Sequence, residues 1–299
     1  MTSLLFRIVA LALALARVHG TLRSHDNKQD GEDNQQCSLS SLKGASVYAV
    51  NGWIVVDDGS TDVYRYPKAS AGKEIYDGKG GLLAVGTVNI NGKIERTSNV
   101  GTYIVNSDCS GSGQYFNSDG DIVATWDFII DQKRNRYVWL WTTPGAVGTS
   151  YTIFTKTEKL AEIPCSVQTM KGKYIIQPSK DWFKQGDSRV PGAYISQARF
   201  DGDGSMTILP FANNNGITQE TEHIDGTYHV DSDCTGSVSF LLGAADYYVL
   251  PDGSGYTFIR TVDPLTQIPS RQGSGLKIKQ HQYPKFALQY NRFLLLNEM

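Results

Sequence analysis

The chain has 299 residues, with 28 basic against 30 acidic side chains for a formal net charge of −2. That balance, with no basic block interleaved with aromatics, excludes the electrostatic footprint of a nucleic-acid-binding protein. Thirty glycines, 11% aromatic residues and only 19% charged residues suit a turn-rich all-β protein, and the length accommodates two domains.

The amino terminus carries Arg7, an apolar run over residues 8–16 and a small-residue exit at Val18-His19-Gly20. The run is too short to span a bilayer, and residues 1–20 read as a secretory signal peptide. Residues 21–36 are almost wholly polar, cannot bury enough surface to fold, and are expected to form a disordered spacer. The protein is therefore expected to be secreted and extracellular.

From residue 37 onward the chain is a tandem repeat. Gly101-Thr-Tyr-Ile-Val-Asn-Ser-Asp-Cys-Ser-Gly111 returns as Gly226-Thr-Tyr-His-Val-Asp-Ser-Asp-Cys-Thr-Gly236, each reading as a strand, a polar corner closed on a cysteine, and the start of the next strand. Cys37-Ser-Leu answers to Cys165-Ser-Val, Tyr76-Asp77-Gly78 to Phe200-Asp201-Gly202, Asn91-Gly92 to Asn215-Gly216, and Asp127-Phe-Ile-Ile to Asp246-Tyr-Tyr-Val. A unit of this length is a small domain duplicated, not a solenoid repeat. It divides the chain into domain 1 over residues 37–163, domain 2 over 164–276 and a tail over 277–299.

In chain order, the first copy predicts strands over residues 48–57, 82–90, 102–105, 126–130, 137–141 and 151–154. The Asn91-Gly92 pair between apolar alternating runs is a hairpin signal. The second copy predicts strands over 174–177, 194–200, 206–209, 227–230, 237–242, 247–250 and 256–262. Seven or eight strands per copy fit either a barrel or a sandwich. The tail turns basic at Lys277, Lys279 and Lys285 and apolar at Phe293 to Leu296, too short for an anchor, and reads as a short amphipathic helix.

Four cysteines in a secreted chain are expected to be oxidised, and four allow three pairings. Each copy has one cysteine at its start and one in its corner, so the pairing that lets each copy fold alone is Cys37 with Cys109 and Cys165 with Cys234. There is no Cys-x-x-Cys pair and no His-x-x-x-His cluster, so no metal site and no cofactor are expected.

The order of these elements resembles the allene-oxide-cyclase-barrel-like domain of secreted microbial proteins, over nearly all of residues 37–275, twice. The Asp-Cys-[Ser/Thr]-Gly corner carries most of that resemblance and looks like a signature of fold and disulfide. It implies an all-β chain of two tandem antiparallel barrels, about eight strands each, broadly similar to lipocalins and dirigent proteins, with interiors that take apolar ligands. It assigns no catalytic residue.

Candidate chemistry is sparse. Asp201-Gly-Asp-Gly-Ser205 opens like a calcium loop but has Ala212 at the twelfth position, and the matching turn of copy one has Lys79 in place of Asp203, so a plain hairpin turn is expected. His229 stands where copy one has Ile104 and reads as structural or solvent-facing. Asp127 and Asp246 lie beside aromatic residues in both copies and are expected to be solvated or loop-capping, against the alternative of carboxyls turned into the barrel, where burial would keep them protonated as hydrogen-bond donors. Trp126 and Phe128 share one parity, and Tyr137, Trp139 and Trp141 share another, so two neighbouring strands present aromatic faces to one lumen. These five residues are the candidate ligand-binding wall, against ordinary core packing as the alternative. Three functions follow: binding of an apolar small molecule in that lumen, dirigent-like or cyclase-like orientation of a reactive intermediate, or an extracellular interaction module with a protein partner. No nucleic-acid partner and no membrane anchor are expected.

Overall fold

The computed structural model describes residues 36–56, 64–131, 133, 135–155, 164–178, 181–185, 188–214, 216–220, 222–241, 243–262 and 272–278. The expected signal peptide, all of the spacer but Gln36, and most of the tail lie outside these residues.

The first barrel runs β1 (Gly44–Val56), β2 (Tyr64–Tyr76), β3 (Gly81–Ile90), β4 (Lys93–Val105), β5 (Ser110–Phe116), β6 (Ile122–Asp131), β7 (Arg136–Trp141) and β8 (Ala146–Thr155). Neighbours in sequence pair antiparallel, and β8 returns to β1 to close the ring. Closure leaves no unpaired edge for another chain to add to. The second barrel begins with β9 (Gly172–Pro178), β10 (Asp181–Gln185), β11 (Ser188–Phe200), β12 (Ser205–Asn214) and β13 (Ile217–Glu220). It continues with β14 (Ile224–Val230), β15 (Thr235–Phe240), β16 (Gly243–Val249), β17 (Gly255–Val262) and β18 (Gln272–Lys277). Its ring is β9, β11, β12, β14, β15, β16, β17 and β18, with β18 closing on β9. β10 and β13 extend it at one end, standing where barrel one has the far half of β1 and the start of β4. The chain is thus all-β, with two closed eight-stranded antiparallel barrels, and the sandwich alternative is excluded.

Strands β2, β5, β10, β13 and β18 have no counterpart among those predicted from the sequence, and β18 carries the second barrel to Lys277, the first residue assigned to the tail. Period-two burial shows why others are legible: along β6, Ala124, Trp126, Phe128 and Ile130 are buried while Val123, Asp127 and Ile129 are exposed.

One end of each barrel is plugged. A 3₁₀ turn, Leu39–Leu42 or Val167–Met170, inserts Leu42 or Met170 into the core, and the disulfides Cys37–Cys109 and Cys165–Cys234 hold each plug to the facing corner. Both corner cysteines adopt a left-handed backbone, with φ of 70° at Cys109 and 68° at Cys234. That conformation disfavours any residue with a Cβ, and the preceding aspartate helps hold it. Asp108 accepts from the Ser110 amide and hydroxyl at 2.9 and 2.6 Å, and Asp233 from those of Thr235 at 3.0 and 2.7 Å. The cysteine carbonyls then accept from Ile130 N and Val249 N, each at 2.9 Å.

The outer face of β1 and β2 packs on the outer face of β16 and β17. Ala45, Val47, Ala69 and Ala71 meet Tyr248, Leu250 and Ile259, and the small side chains let Thr257 Oγ1 reach the Gly72 carbonyl at 3.3 Å. Asp246 sits in this contact, 7% exposed, which corrects its expected solvated role. Arg96 donates to it through Nε at 3.0 Å and Nη2 at 2.9 Å, and Thr87 Oγ1 donates at 2.6 Å. Asp246 does face away from its own barrel, as its parity requires; it is barrel one that covers it. Asp127, its counterpart, is exposed as expected. Among the described residues, no helix is long and apolar enough to cross a membrane.

Candidate functional site in the first barrel

The lumen of barrel one is walled by aromatic side chains. Trp126, Phe128, Tyr137 and Trp139 are buried inside it, and Trp141 is half-buried at the end opposite the plug. Trp139 meets Trp141 edge-on with ring centroids 4.8 Å apart, Trp126 lies 6.2 Å from Trp139, and Phe128 lies 5.9 Å from Tyr137. The structure therefore brings all five predicted wall residues to one lumen. Four of them also fill it as core.

At the centre stands a group that no sequence pattern singles out. Glu74, on the inward row of β2, is 1% exposed. Its Oε2 accepts from Ser46 Oγ at 2.9 Å, from Tyr76 at 3.1 Å and from Tyr137, while its Oε1 accepts from Tyr115. The donors are themselves linked, Tyr76 to Tyr137 at 2.9 Å and Ser46 to Tyr137 at 3.2 Å. A carboxyl buried among aromatics is tolerated only with such a full set of partners. Burial, then the neighbouring Glu74 carboxyl, pushes the hydroxyls of Tyr48, Tyr76, Tyr115 and Tyr137 well above the ordinary tyrosine range. They remain protonated donors at every physiological pH. Tyr48 lies across the β2–β3 pair, where a Cβ on Gly72 would fall 2.4 Å from its hydroxyl, so only glycine admits that ring.

Barrel two lacks the cluster. Strand register places Ala198 at the position of Glu74, Phe200 at Tyr76, Tyr174 at Ser46 and Phe240 at Tyr115. Its core is Tyr174, Phe200, Tyr228, Tyr247 and Tyr256 in mutual ring contact.

Toward the end of barrel one opposite the plug the inward rows turn polar. Trp139 Nε1 donates to Thr152 Oγ1 at 2.9 Å, and Ser150 Oγ donates to the Ala49 carbonyl at 2.9 Å. Lys68 holds its ammonium 4.4 Å from the centroid of Trp141, and burial lowers its pKa. A separate cleft of about 1260 Å³ lies outside the lumen, between the outer faces of β5 to β8 and of β9 and β18. Ile129, Val138, Leu140, Ile175 and Leu276 line it. Ile129 is 62% exposed, which makes this an open surface groove.

The remaining candidates are structural. Asp201 Oδ1 accepts from the amides of Asp203 at 2.7 Å and Ser205 at 3.0 Å, and Asp77 does the same for Lys79 and Gly81, so both are ordinary hairpin turns. His229 is exposed and pairs with Asp231 at 2.9 Å.

Fold and site together define a tandem β-barrel protein in which one of two duplicated barrels holds a hydrogen-bonded polar cluster inside an aromatic lumen. No family model and no curated protein matches the sequence. Among solved structures, a protein of Nitrosomonas europaea described as AttH is similar at 10% identity, covering 79% of this chain and 92% of its own, with a TM-score of 0.27. A DUF3598-family protein of unknown function from Nostoc punctiforme is similar at 8% identity, covering 81% and 100%, with a TM-score of 0.24. Likenesses this slight carry no argument about this chain, and the barrel fold rests on its own strand pairing.

Proposed function

We propose that the protein is a secreted binding protein for a small apolar molecule, taken up in the lumen of the first barrel against Trp126, Phe128, Tyr137, Trp139 and Trp141. The carrying observation is the difference between the duplicates. The same fold closes in barrel two around Ala198, Phe200 and Phe240, so the Glu74 cluster of barrel one is not needed for closure. A polar group that costs desolvation and that the scaffold does not need argues for a role in recognition. Aromatic walls with a few convergent polar groups are the usual form of a small-molecule site. The paired cysteines suit an extracellular setting, and kinship with allene-oxide-cyclase-like barrels, resting on the Asp-Cys-[Ser/Thr]-Gly corner, belongs to the same proposal. Glu74 also supports a second reading, in which the lumen orients a reactive guest beside a hydrogen-bonding carboxyl.

Titration of the intact protein with apolar probes is expected to perturb tryptophan fluorescence, and Trp139→Ala to weaken binding more than Phe258→Ala while both variants keep their circular dichroism. Recovery of the guest unchanged supports binding, and recovery of a converted guest supports the second reading. Failure of the intact protein to bind any probe rejects both and leaves these aromatics as core.

A further inference from the structure

Strand register aligns four inward positions near the end of barrel one opposite the plug. Gly52 pairs with Gly148 on β8 and with Lys68 on β2, and Trp141 stands level with Gly148, one residue beyond the Leu140–Thr149 pair. Two glycines thus separate Trp141 from Lys68 along this row. With no side chain between them, the lysine stem and the indole meet over the gap, which sets the 4.4 Å approach of ammonium to ring. The next row toward the plug reads Trp139, Ser150, Val50, Ser70.

Two polar atoms in these rows have no partner. Ser70 Oγ and Trp141 Nε1 are both buried without a hydrogen bond, and Ser70 is 2% exposed. Their neighbours Trp139 Nε1 and Ser150 Oγ are paired within the wall, so the region is not generally unsatisfied. Buried donors without acceptors are uncommon and call for a specific explanation. No carboxylate pairs with Lys68 among the described residues. Glu95 and Lys93 share the inward parity on β4 and are exposed. Barrel two has Gly192 at the position of Lys68 and Arg260 at that of Trp141. The row is therefore particular to barrel one.

We infer that Lys68, Ser70 and Trp141 form a site for the anionic end of the guest, a carboxylate or sulfonate, whose apolar body lies along the tryptophan wall. This rests on the proposed binding function and names the class of molecule it takes. Ammonium, hydroxyl and indole N–H offer three kinds of donor and no obligatory acceptor, the complement of an oxyanion. The pKa of Lys68 is held down by burial, and an anion beside it offsets that cost.

The test uses the full mature chain and three probes of equal alkyl length, a carboxylate, an alcohol and an ammonium, each below its aggregation threshold. Binding is read by calorimetry and tryptophan fluorescence. The carboxylate is expected to bind at least about tenfold more tightly than the other two. Lys68→Met, which keeps the apolar stem, should erase most of that preference while leaving alcohol binding within about twofold. Trp141→Phe, which keeps a ring but removes the N–H, should weaken the carboxylate several-fold, and an unchanged melting temperature shows that each variant is folded. If carboxylate and alcohol bind alike and Lys68→Met changes neither, the anion site is refuted, the two orphaned donors belong to ordinary water, and apolar binding stands. If no probe binds, both the site and the binding function are overturned.

Discussion

Replacing Glu74 with alanine tests whether the buried cluster is a closed unit of structure. Ser46, Tyr76 and Tyr137 are already linked to one another at 3.2 and 2.9 Å, so on loss of the carboxyl they can pass their bonds along and leave one hydroxyl without an acceptor. Tyr115, which donates to Oε1, becomes the second orphan. Each orphaned buried hydroxyl costs about 1–3 kcal/mol, and the void left by the side chain adds about 1 kcal/mol. Relief of the carboxyl's own desolvation subtracts from this, so a net loss of about 3 kcal/mol is expected. Urea titration followed by tryptophan fluorescence reads it, because Trp126, Trp139 and Trp141 all belong to this barrel. Transplanting the residues of barrel two, Ser46→Tyr with Glu74→Ala, Tyr76→Phe and Tyr115→Phe, takes away the Tyr76 and Tyr115 hydroxyls and fills the void but keeps the hydroxyl of Tyr137, whose counterpart Tyr256 is buried without a hydrogen-bond partner, so it should restore part of the loss while abolishing guest binding. A Glu74→Ala protein within about 0.5 kcal/mol of the parent would refute a stabilising role for these hydrogen bonds, and a transplant that does not fold would show that the two lumens are not interchangeable.

Alkaline unfolding should be steep. Tyr48, Tyr76, Tyr115 and Tyr137 have raised pKa values in the fold, so above about pH 10 the unfolded chain releases protons that the native barrel keeps, and stability falls as pH rises. Four such groups produce a slope of about 5 kcal/mol per pH unit; phenolate absorbance should rise together with loss of circular dichroism, and ionisation near pH 10 with the fold intact contradicts the claim. Asp246→Ala is expected to lower stability by about 1–2 kcal/mol, and Asp127→Ala by less than about 0.5 kcal/mol, although the two occupy the same position in the duplicated scaffold. Equal melting-temperature shifts would remove Asp246 from the contact between the barrels.

The duplication, the disulfides and the aromatic wall are legible in the sequence because each leaves a pattern: repeated motifs, matched cysteine spacing, and alternation along β6 and β7. The Glu74 cluster is not. The inward row of β2 is Lys68, Ser70, Gly72, Glu74 and Tyr76, mostly polar or small, whereas the outward row holds Ala69, Ala71 and Ile75, with both alanines covered by the second barrel. A strand polar inside and apolar outside inverts the usual signal, so the segment carries no strand prediction and its glutamate no site. Comparison of the copies holds a usable clue, because Tyr194, Ser196, Ala198 and Phe200 form the inward row of a predicted strand in copy two. Aligning Glu74 with Ala198 flags a carboxyl at a core position. Asp246 eludes the sequence for a related reason: its parity faces it outward, and periodicity does not reveal what covers an outer face.

That cover has a direction. The contact joins two different patches, the β1–β2 face of one barrel and the β16–β17 face of the other, so it is not self-complementary. Duplication supplied each patch twice and the chain uses each once. Val138 and Leu140 on barrel one are the counterparts of Thr257 and Ile259, Ile129 is that of Tyr248, and Ile175 on barrel two is that of Val47. In barrel two or barrel one respectively, those counterparts are buried in the contact, whereas Ile129, Val138, Leu140 and Ile175 are exposed along the cleft. The molecule therefore holds the same pair of faces twice, packed tight where β1–β2 meets β16–β17 and left open to solvent where β6–β7 faces β9 across the cleft.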